Sequence, residues 1–259
     1  MSGSGSFAPP AEAEAARRCL GDPRARANVR WLAELLALPP RSVQRILRET
    51  GAFVDIDREI HDRLRSGGRS NYAQFRAPLE LYTLVRALRP AHVVETGVSS
   101  GVSSAHLLLA LRKNRRGTLH SIDLPTRQRE ARLGPNESPV ALPPDRTTGW
   151  AIPPALRRGW DLRIGRSERL LPELVEELPS IGLFLHDSLH TSTHLTFELE
   201  TVRPKLATGA IVLADNTIWT GQAFPRFARR VGSRMRRRGA GDLVGLRFDP
   251  ERVRAPSAP

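Results

Sequence analysis

From Ala77 onward the chain alternates short apolar runs with longer amphipathic ones, and this alternation constrains its fold more than any other feature. His92–Thr96 (HVVET), Thr118–Asp123 (TLHSID), Asp161–Ile164, Ile181–Leu185 (IGLFL), Ala210–Ala214 (AIVLA) and Leu243–Phe248 (LVGLRF) have the length and composition of buried strands. Ala77–Leu88, Ser104–Leu111, Glu168–Glu177 and Phe197–Leu206 read as helices, and an arginine-rich helix is expected before the last strand. Strands separated by helices are joined by crossovers and therefore run parallel. The expected fold is a doubly wound α/β sheet.

Three segments stand outside this pattern. Residues 1–10 (MSGSGSFAPP) read as a flexible start, and residues 11–70 as a helical extension punctuated by Asp22-Pro23, Pro39-Pro40 and Gly67-Gly68. The extension is expected to cap the strand edge or to serve as an oligomer contact. Residues 125–159 are proline-rich and show no period, so they read as a long loop over the same edge. Trp150, Trp160 and Trp219 are candidate apolar walls of a pocket there. A single cysteine, Cys19, excludes an internal disulfide and a cysteine-based zinc site. No run approaches a membrane span and Met1–Pro10 lacks a signal-peptide layout, so a cytoplasmic protein is expected.

In open α/β sheets ligands bind beyond the C-terminal strand ends. The first such end reads Glu95-Thr96-Gly97-Val98-Ser99-Ser100-Gly101-Val102-Ser103, an E-x-G-x-x-x-G turn that lets backbone pass close to a ligand and opens a helix whose amides suit a carboxylate. The second strand ends in Asp123, placed to bind ribose hydroxyls. The dinucleotide pattern G-x-G-x-x-G is absent, as are a Tyr-x-x-x-Lys pair and a phosphate-binding Gly-Lys-Ser/Thr. These exclusions leave a site for S-adenosylmethionine (SAM).

The next two strand ends carry acids: Asp187 after His186, and Asp215-Asn216 after Ala214. Neighbouring strands would bring Asp187, Asp215 and Asn216 together as hard oxygen ligands suited to Mg2+, and two carboxylates so close repel without a cation. His186, His190 and His194 recur every four residues, but His186 ends a strand, so the three do not form one helical zinc face. His190 is the candidate general base, with Asp187 beside it.

With these residues in place, Tyr72–Phe248 resembles a class I SAM-dependent methyltransferase, and it is similar to the metal-dependent O-methyltransferases of the catechol and macrolide-sugar types. The run His186–Thr191 (HDSLHT), Gly165–Pro172 (GRSERLLP) and Asp215–Gly221 (DNTIWTG) carry the likeness. It implies a seven-stranded, mostly parallel, Rossmann-like sheet over residues 71–259. It implies SAM contacts at Glu95, Gly97, Ser99, Gly101, Ser103, Asp123, Ser167 and Glu168, metal ligands Asp187, Asp215 and Asn216, and His190 as base. Ala207-Thr208-Gly209 departs from the family's usual Pro-Gly-Gly, and nothing in the pattern names the methyl acceptor.

The net charge of +13 comes almost wholly from arginine, with seven between Arg226 and Arg238. That block suits either a solvated helix face or, in a nucleic-acid methyltransferase, a phosphate-binding one. A small-molecule hydroxyl acceptor remains the leading expectation, metal-assisted or with Asp187 or His190 acting alone. A SAM-fold protein that binds without catalysis is the third alternative.

Overall fold

The computed structural model describes residues 23–66, 75–125, 142–143, 145–239 and 242–250. Helices α1 (Pro23–Leu36), α2 (Pro40–Glu49), α3 (Val54–Ser66) and α4 (Pro78–Leu88) come first. Prolines at the start of α2 and α4 lack only a donor that the first turn cannot use. The rest alternates: β1 (His92–Thr96), α5 (Val102–Asn114), β2 (Thr118–Asp123), β3 (Trp160–Ile164), α6 (Ser167–Glu177), β4 (Ile181–His186), α7 (Ser192–Val202), β5 (Leu206–Ala214), α8 (Ala223–Arg230), β6 (Arg236–Arg237) and β7 (Val244–Arg247).

These strands form one seven-stranded sheet in the order β3-β2-β1-β4-β5-β7-β6, in which β7 runs against all the others and pairs antiparallel with both β5 and β6. Alternation of side chains across the pleat builds two cores. Val93, Leu119, Leu183, Leu185, Ile211 and Leu213 face α1, α4 and α5 on one side. Val94, Ile122, Phe184, Val212 and Ala214 face α6, α7 and α8 on the other. The chain winds outward through β1, β2 and β3, then returns to β4 beside β1, so the order switches between those two strands.

The helical extension is part of this core. Leu32 and Leu35 of α1, Val43 of α2 and Ile60 of α3 are essentially unexposed and belong to the same cluster as the strands. A Cβ on Gly245 of β7 would meet Leu35 at 3.1 Å and Trp31 at 3.4 Å, so α1 lies directly on the sheet face. Among the described residues α1 thus lies on the sheet face, while Ser66 of α3 accepts from the Arg146 guanidinium at 3.2 Å. The apolar face of α1 is therefore engaged within its own chain.

Two further expectations are revised. The arginine block is not one helix: α8 ends at Arg230 and Arg236–Arg237 pair with β7. Arg230 bonds Glu200, Arg236 bonds Glu34, and Arg238 bonds the buried Glu80, so at least three of its seven arginines are tied to acids of this chain. In the long loop, Trp150, Ala151, Ile152 and Leu156 are buried core residues. Residues 1–22, 67–74 and 126–141, which include the expected flexible start, lie outside the described residues. Among the described residues no helix is long and apolar enough to cross a membrane.

Candidate active site

The register of the central strands aligns the predicted residues in a row. Thr96 pairs with His186, and His186 with Ala214, so the next residue of each strand stands at one level. Backbone bonds extend the ladder by that residue: Asp187 donates to Thr96 at 2.8 Å and Asp215 donates to His186 at 3.0 Å. Gly97, Asp187 and Asp215 thus line the C-terminal edge at the switch point, where an open α/β sheet holds its ligands.

Gly97 is glycine because of this crowding. Its φ is +85°, and a Cβ there would stand 2.0 Å from the Asp187 carbonyl oxygen. Gly101, with φ +91°, caps the start of α5 and abuts Ile152 and Gly149 in the same way. Ser99 also takes a left-handed φ of 50°. The hydroxyls of Ser99 and Ser100 are buried in this turn with no hydrogen-bond partner among the described residues. Orphaned donors at a glycine turn that opens a helix suit a polar ligand.

The acids expected to touch SAM are engaged by the chain itself. Glu95 is fully buried and accepts from Ser103 at 2.5 Å, Ser104 at 2.6 Å and Ser121 at 2.9 Å. Burial pushes its pKa up to about 7, against the pull of the three serines. Glu95 and the Ser103 hydroxyl, both expected at the cofactor, brace the turn from below by bonding each other. Asp123 accepts from the backbone of Val98 at 3.0 Å and Ser99 at 3.4 Å, while its second oxygen accepts from Thr148 at 2.6 Å. A ribose hydroxyl at Asp123 would compete with Thr148, a residue that sequence reasoning missed.

Thr148 belongs to a strap from the long loop. Gly149 donates to Ser99 at 2.8 Å and Ala151 to Ser100 at 3.0 Å, so the strap runs against the glycine turn. Past β3, Ser167 is buried with its hydroxyl 3.0 Å from His194 Nε2, and Glu168 is about half exposed. The eight expected cofactor residues thus lie at or just beyond the ends of β1, β2 and β3; of them Gly97 and Ser99 are partly exposed, Glu168 is exposed and the rest are buried.

On the acceptor side, His190 Nε2 lies 3.4 Å from Asp187 Oδ1 and 3.4 Å from Asn216 Nδ2. Burial, and then the charge of Asp187, push the Asp215 pKa up to about 6. Two carboxylates and an amide oxygen at the ends of adjacent strands are a hard donor set, and the repulsion felt by Asp215 is what a cation would relieve. Among the described residues, however, no three His, Cys, Asp or Glu side chains form a metal-holding group by themselves.

Leu124, Ile164, Leu189, Ile218 and Trp219, the exposed large hydrophobics among the described residues, all end or follow β2, β3, β4 or β5 at this edge. Such clustering marks a ligand surface. Of the three tryptophans expected as walls, Trp219 qualifies: it is 44% exposed and its ring lies 5.7 Å from that of His190. Trp150 is core, and Trp160 donates from Nε1 to Ser121 at 3.0 Å.

The three histidines divide as the strand boundary requires, with His186 in β4, His190 in the loop and His194 in α7. Glu198, also missed in the sequence, lies four residues after His194 on α7 and binds both His186 and His194. Its signal was the H-x-x-x-E spacing, which places both side chains on one helical face.

Comparison with known proteins agrees with this geometry. Residues 94–217 match the family described as a methyltransferase domain. No curated protein is significantly similar to the chain in sequence. Among solved structures, the O-methyltransferase from Bacillus cereus in complex with S-adenosylhomocysteine (SAH) is 12% identical, with 74% of this chain and 90% of that one covered and a TM-score of 0.51. TomG from Streptomyces achromogenes, an O-methyltransferase of tomaymycin synthesis in complex with SAM, is 16% identical, with coverage of 75% and 88% and a TM-score of 0.51. The O-methyltransferase NovP is 12% identical, with coverage of 76% and 98% and a TM-score of 0.53. At these identities the likeness is one of fold.

Proposed function

We propose that this chain, a class I SAM-dependent methyltransferase by its fold and by the domain at residues 94–217, methylates a hydroxyl oxygen of a small molecule. His190 is the base, and a divalent cation, magnesium by the hardness of the donors, is held by Asp187, Asp215 and Asn216. The observation that carries this reading is the row of Asp187 and Asp215 at the switch point, with the His190 imidazole 3.4 Å from the Asp187 carboxylate.

The glycine turn after β1 offers backbone amides and the Ser99 and Ser100 hydroxyls to the cofactor, and Asp123 offers an oxygen to its ribose once Thr148 yields. Transfer is an in-line displacement: the acceptor oxygen forms a bond to the methyl carbon as the carbon–sulfur bond breaks, leaving SAH. Positioning supplies much of the rate. His190 Nε2 takes the hydroxyl proton, and Asp187 beside it stabilises the imidazolium that results. A bound cation would supply Lewis-acid polarisation of the acceptor oxygen.

Trp219, Ile218 and Leu189 give the acceptor side an apolar wall, which supports a sugar, polyketide or phenolic natural product with an exposed apolar face. The proposed setting is the cytoplasm. Two measurements test the reading. Calorimetry should show SAH binding to the wild type, and a panel of hydroxylated acceptors should show turnover that EDTA abolishes and Mg2+ restores. Absence of SAH binding would sink the methyltransferase assignment to this site. Full turnover by metal-free protein would sink the cation and leave His190 as a sole base.

A further inference from the structure

Below the strand ends lies a buried carboxylate to which methyl transfer assigns no part. Glu198 of α7 is 0% exposed. Its Oε2 accepts from the Thr96 hydroxyl at 2.6 Å and faces His186 Nδ1 at 2.7 Å. Its Oε1 accepts from the Ser188 hydroxyl at 3.0 Å and faces His194 Nε2 at 2.9 Å. Burial raises its pKa, but His186 and His194 outweigh that effect and hold the carboxyl well below the usual range, so it is ionised. Taking an ion fully out of water is costly and is offset only by well-placed partners. A leucine at position 198 would serve packing alone.

We propose that Glu198 is a positioning residue of the transfer reaction, fixing His186 and Ser188 and through them His190 and Asp187. The proposal rests on the function inferred above. Its geometry is specific to the reacting edge. Asp187 lies between His186 and Ser188, and both of these are tethered to Glu198. The second ring nitrogen of His186, Nε2, has no hydrogen-bond partner among the described residues, so Nδ1 and its contact with Glu198 set the direction of the ring. That ring stands edge-on to His190, with centroids 5.8 Å apart and planes at 83°. Thr96, the third tether, directly precedes Gly97, whose Cα is pressed against the Asp187 backbone. His194 extends the knot to the start of α6 through Ser167 at 3.0 Å. One carboxylate therefore ties both sides of the switch point to α7.

Glu198→Gln keeps the shape and removes the charge. Whichever way the amide turns, its NH2 faces two groups that now bond an oxygen. The expected result is folded protein whose kcat falls on the order of 10–100-fold, the scale of a small misplacement of reacting groups. KM for the acceptor and the SAH dissociation constant should change less than about threefold, because ground-state contacts are untouched. Histidine-ring NMR gives a readout independent of turnover: the His190 Cε1–H resonance should move in Glu198→Gln, through the reoriented His186 ring that stands edge-on to it. If Glu198→Gln fails to fold, Ser188→Ala removes a single tether and should show the same two changes at smaller size. Folded variants with wild-type kcat and an unmoved His190 resonance would overturn the proposal, as would a fall in kcat matched by an equal loss of SAH affinity. A wild type that turns over no acceptor would instead refute the proposed function, and the His190 resonance would still decide the role of Glu198.

Discussion

Glu95→Gln should change how the stability of this protein depends on pH. Glu95 is fully buried, and its pKa rises from an ordinary 4.5 to about 7, chiefly through burial. Below pH 4.5 the carboxyl is protonated in both folded and unfolded chains, and the full contribution to stability is present. As pH rises toward 7 the unfolded chain has lost the proton that the folded chain retains, so stability falls with increasing pH. At about 1.4 kcal/mol per pH unit, the total loss is on the order of 3 kcal/mol. Glutamine cannot titrate, and it can still face Ser103, Ser104 and Ser121, whose hydroxyls rotate to donate or accept. Urea unfolding followed by circular dichroism, at matched ionic strength between pH 4.5 and 8, measures both proteins. The mutant should gain about 3 kcal/mol on the wild type across that range. Parallel curves would refute the reasoning and mean that the three serines stabilise the carboxylate as well as water does.

Other perturbations test neighbouring parts of the site. Gly97→Ala puts a methyl group 2.0 Å from the Asp187 carbonyl oxygen at a φ of +85°, so thermal unfolding should show a loss of more than about 2 kcal/mol, together with weaker SAH binding by calorimetry. Thr148→Val frees one oxygen of Asp123, and calorimetry should show SAH affinity unchanged or up to about tenfold higher, the value of one net hydrogen bond; a tenfold loss would make Thr148 a cofactor ligand itself. Asp215→Ala should abolish the effect of Mg2+ on turnover while leaving SAH affinity within about threefold, whereas His190→Ala should lower kcat by roughly 10²–10⁴-fold. Leu35→Ala, in a helix that the sequence sets apart, should cost about 2–5 kcal/mol in denaturant unfolding, because that side chain is wholly buried against the sheet.

What was legible in the sequence is what depends on neighbours in the chain. Val93-Val94 and Leu183-Phe184-Leu185 announce strands because residues buried on both faces leave no polar alternation. The row of Gly97, Asp187 and Asp215 followed from strand ends alone, since parallel ladders in register deliver consecutive strand ends to one edge. The arginine block misled for a related reason. Arg236 and Arg238 have the composition of a solvated helix, but their partners, Glu34 and Glu80, are far away in the chain, and only the fold supplies them.

The same logic separates the site residues that sequence could name from those it could not. Asp123 was recognisable at the end of β2, yet its partner Thr148 sits in a stretch without period, where nothing local marks one threonine from another. Glu198 shares a helical face with His194, so a pair was visible, but Thr96 and His186 meet it only because β1 and β4 are adjacent. Glu95, within β1, was expected at the cofactor because the family resemblance implies a contact there. It turns inward here because Ser103, Ser104 and Ser121 surround it, and two of these come from α5 while the third lies on β2. The site was thus legible where one residue meets solvent and chemistry directly. It was hidden where a carboxylate works by holding several chain segments in place, because the bonds that join those segments, such as Thr96 and His186 to Glu198, are set by crossovers rather than by a spacing.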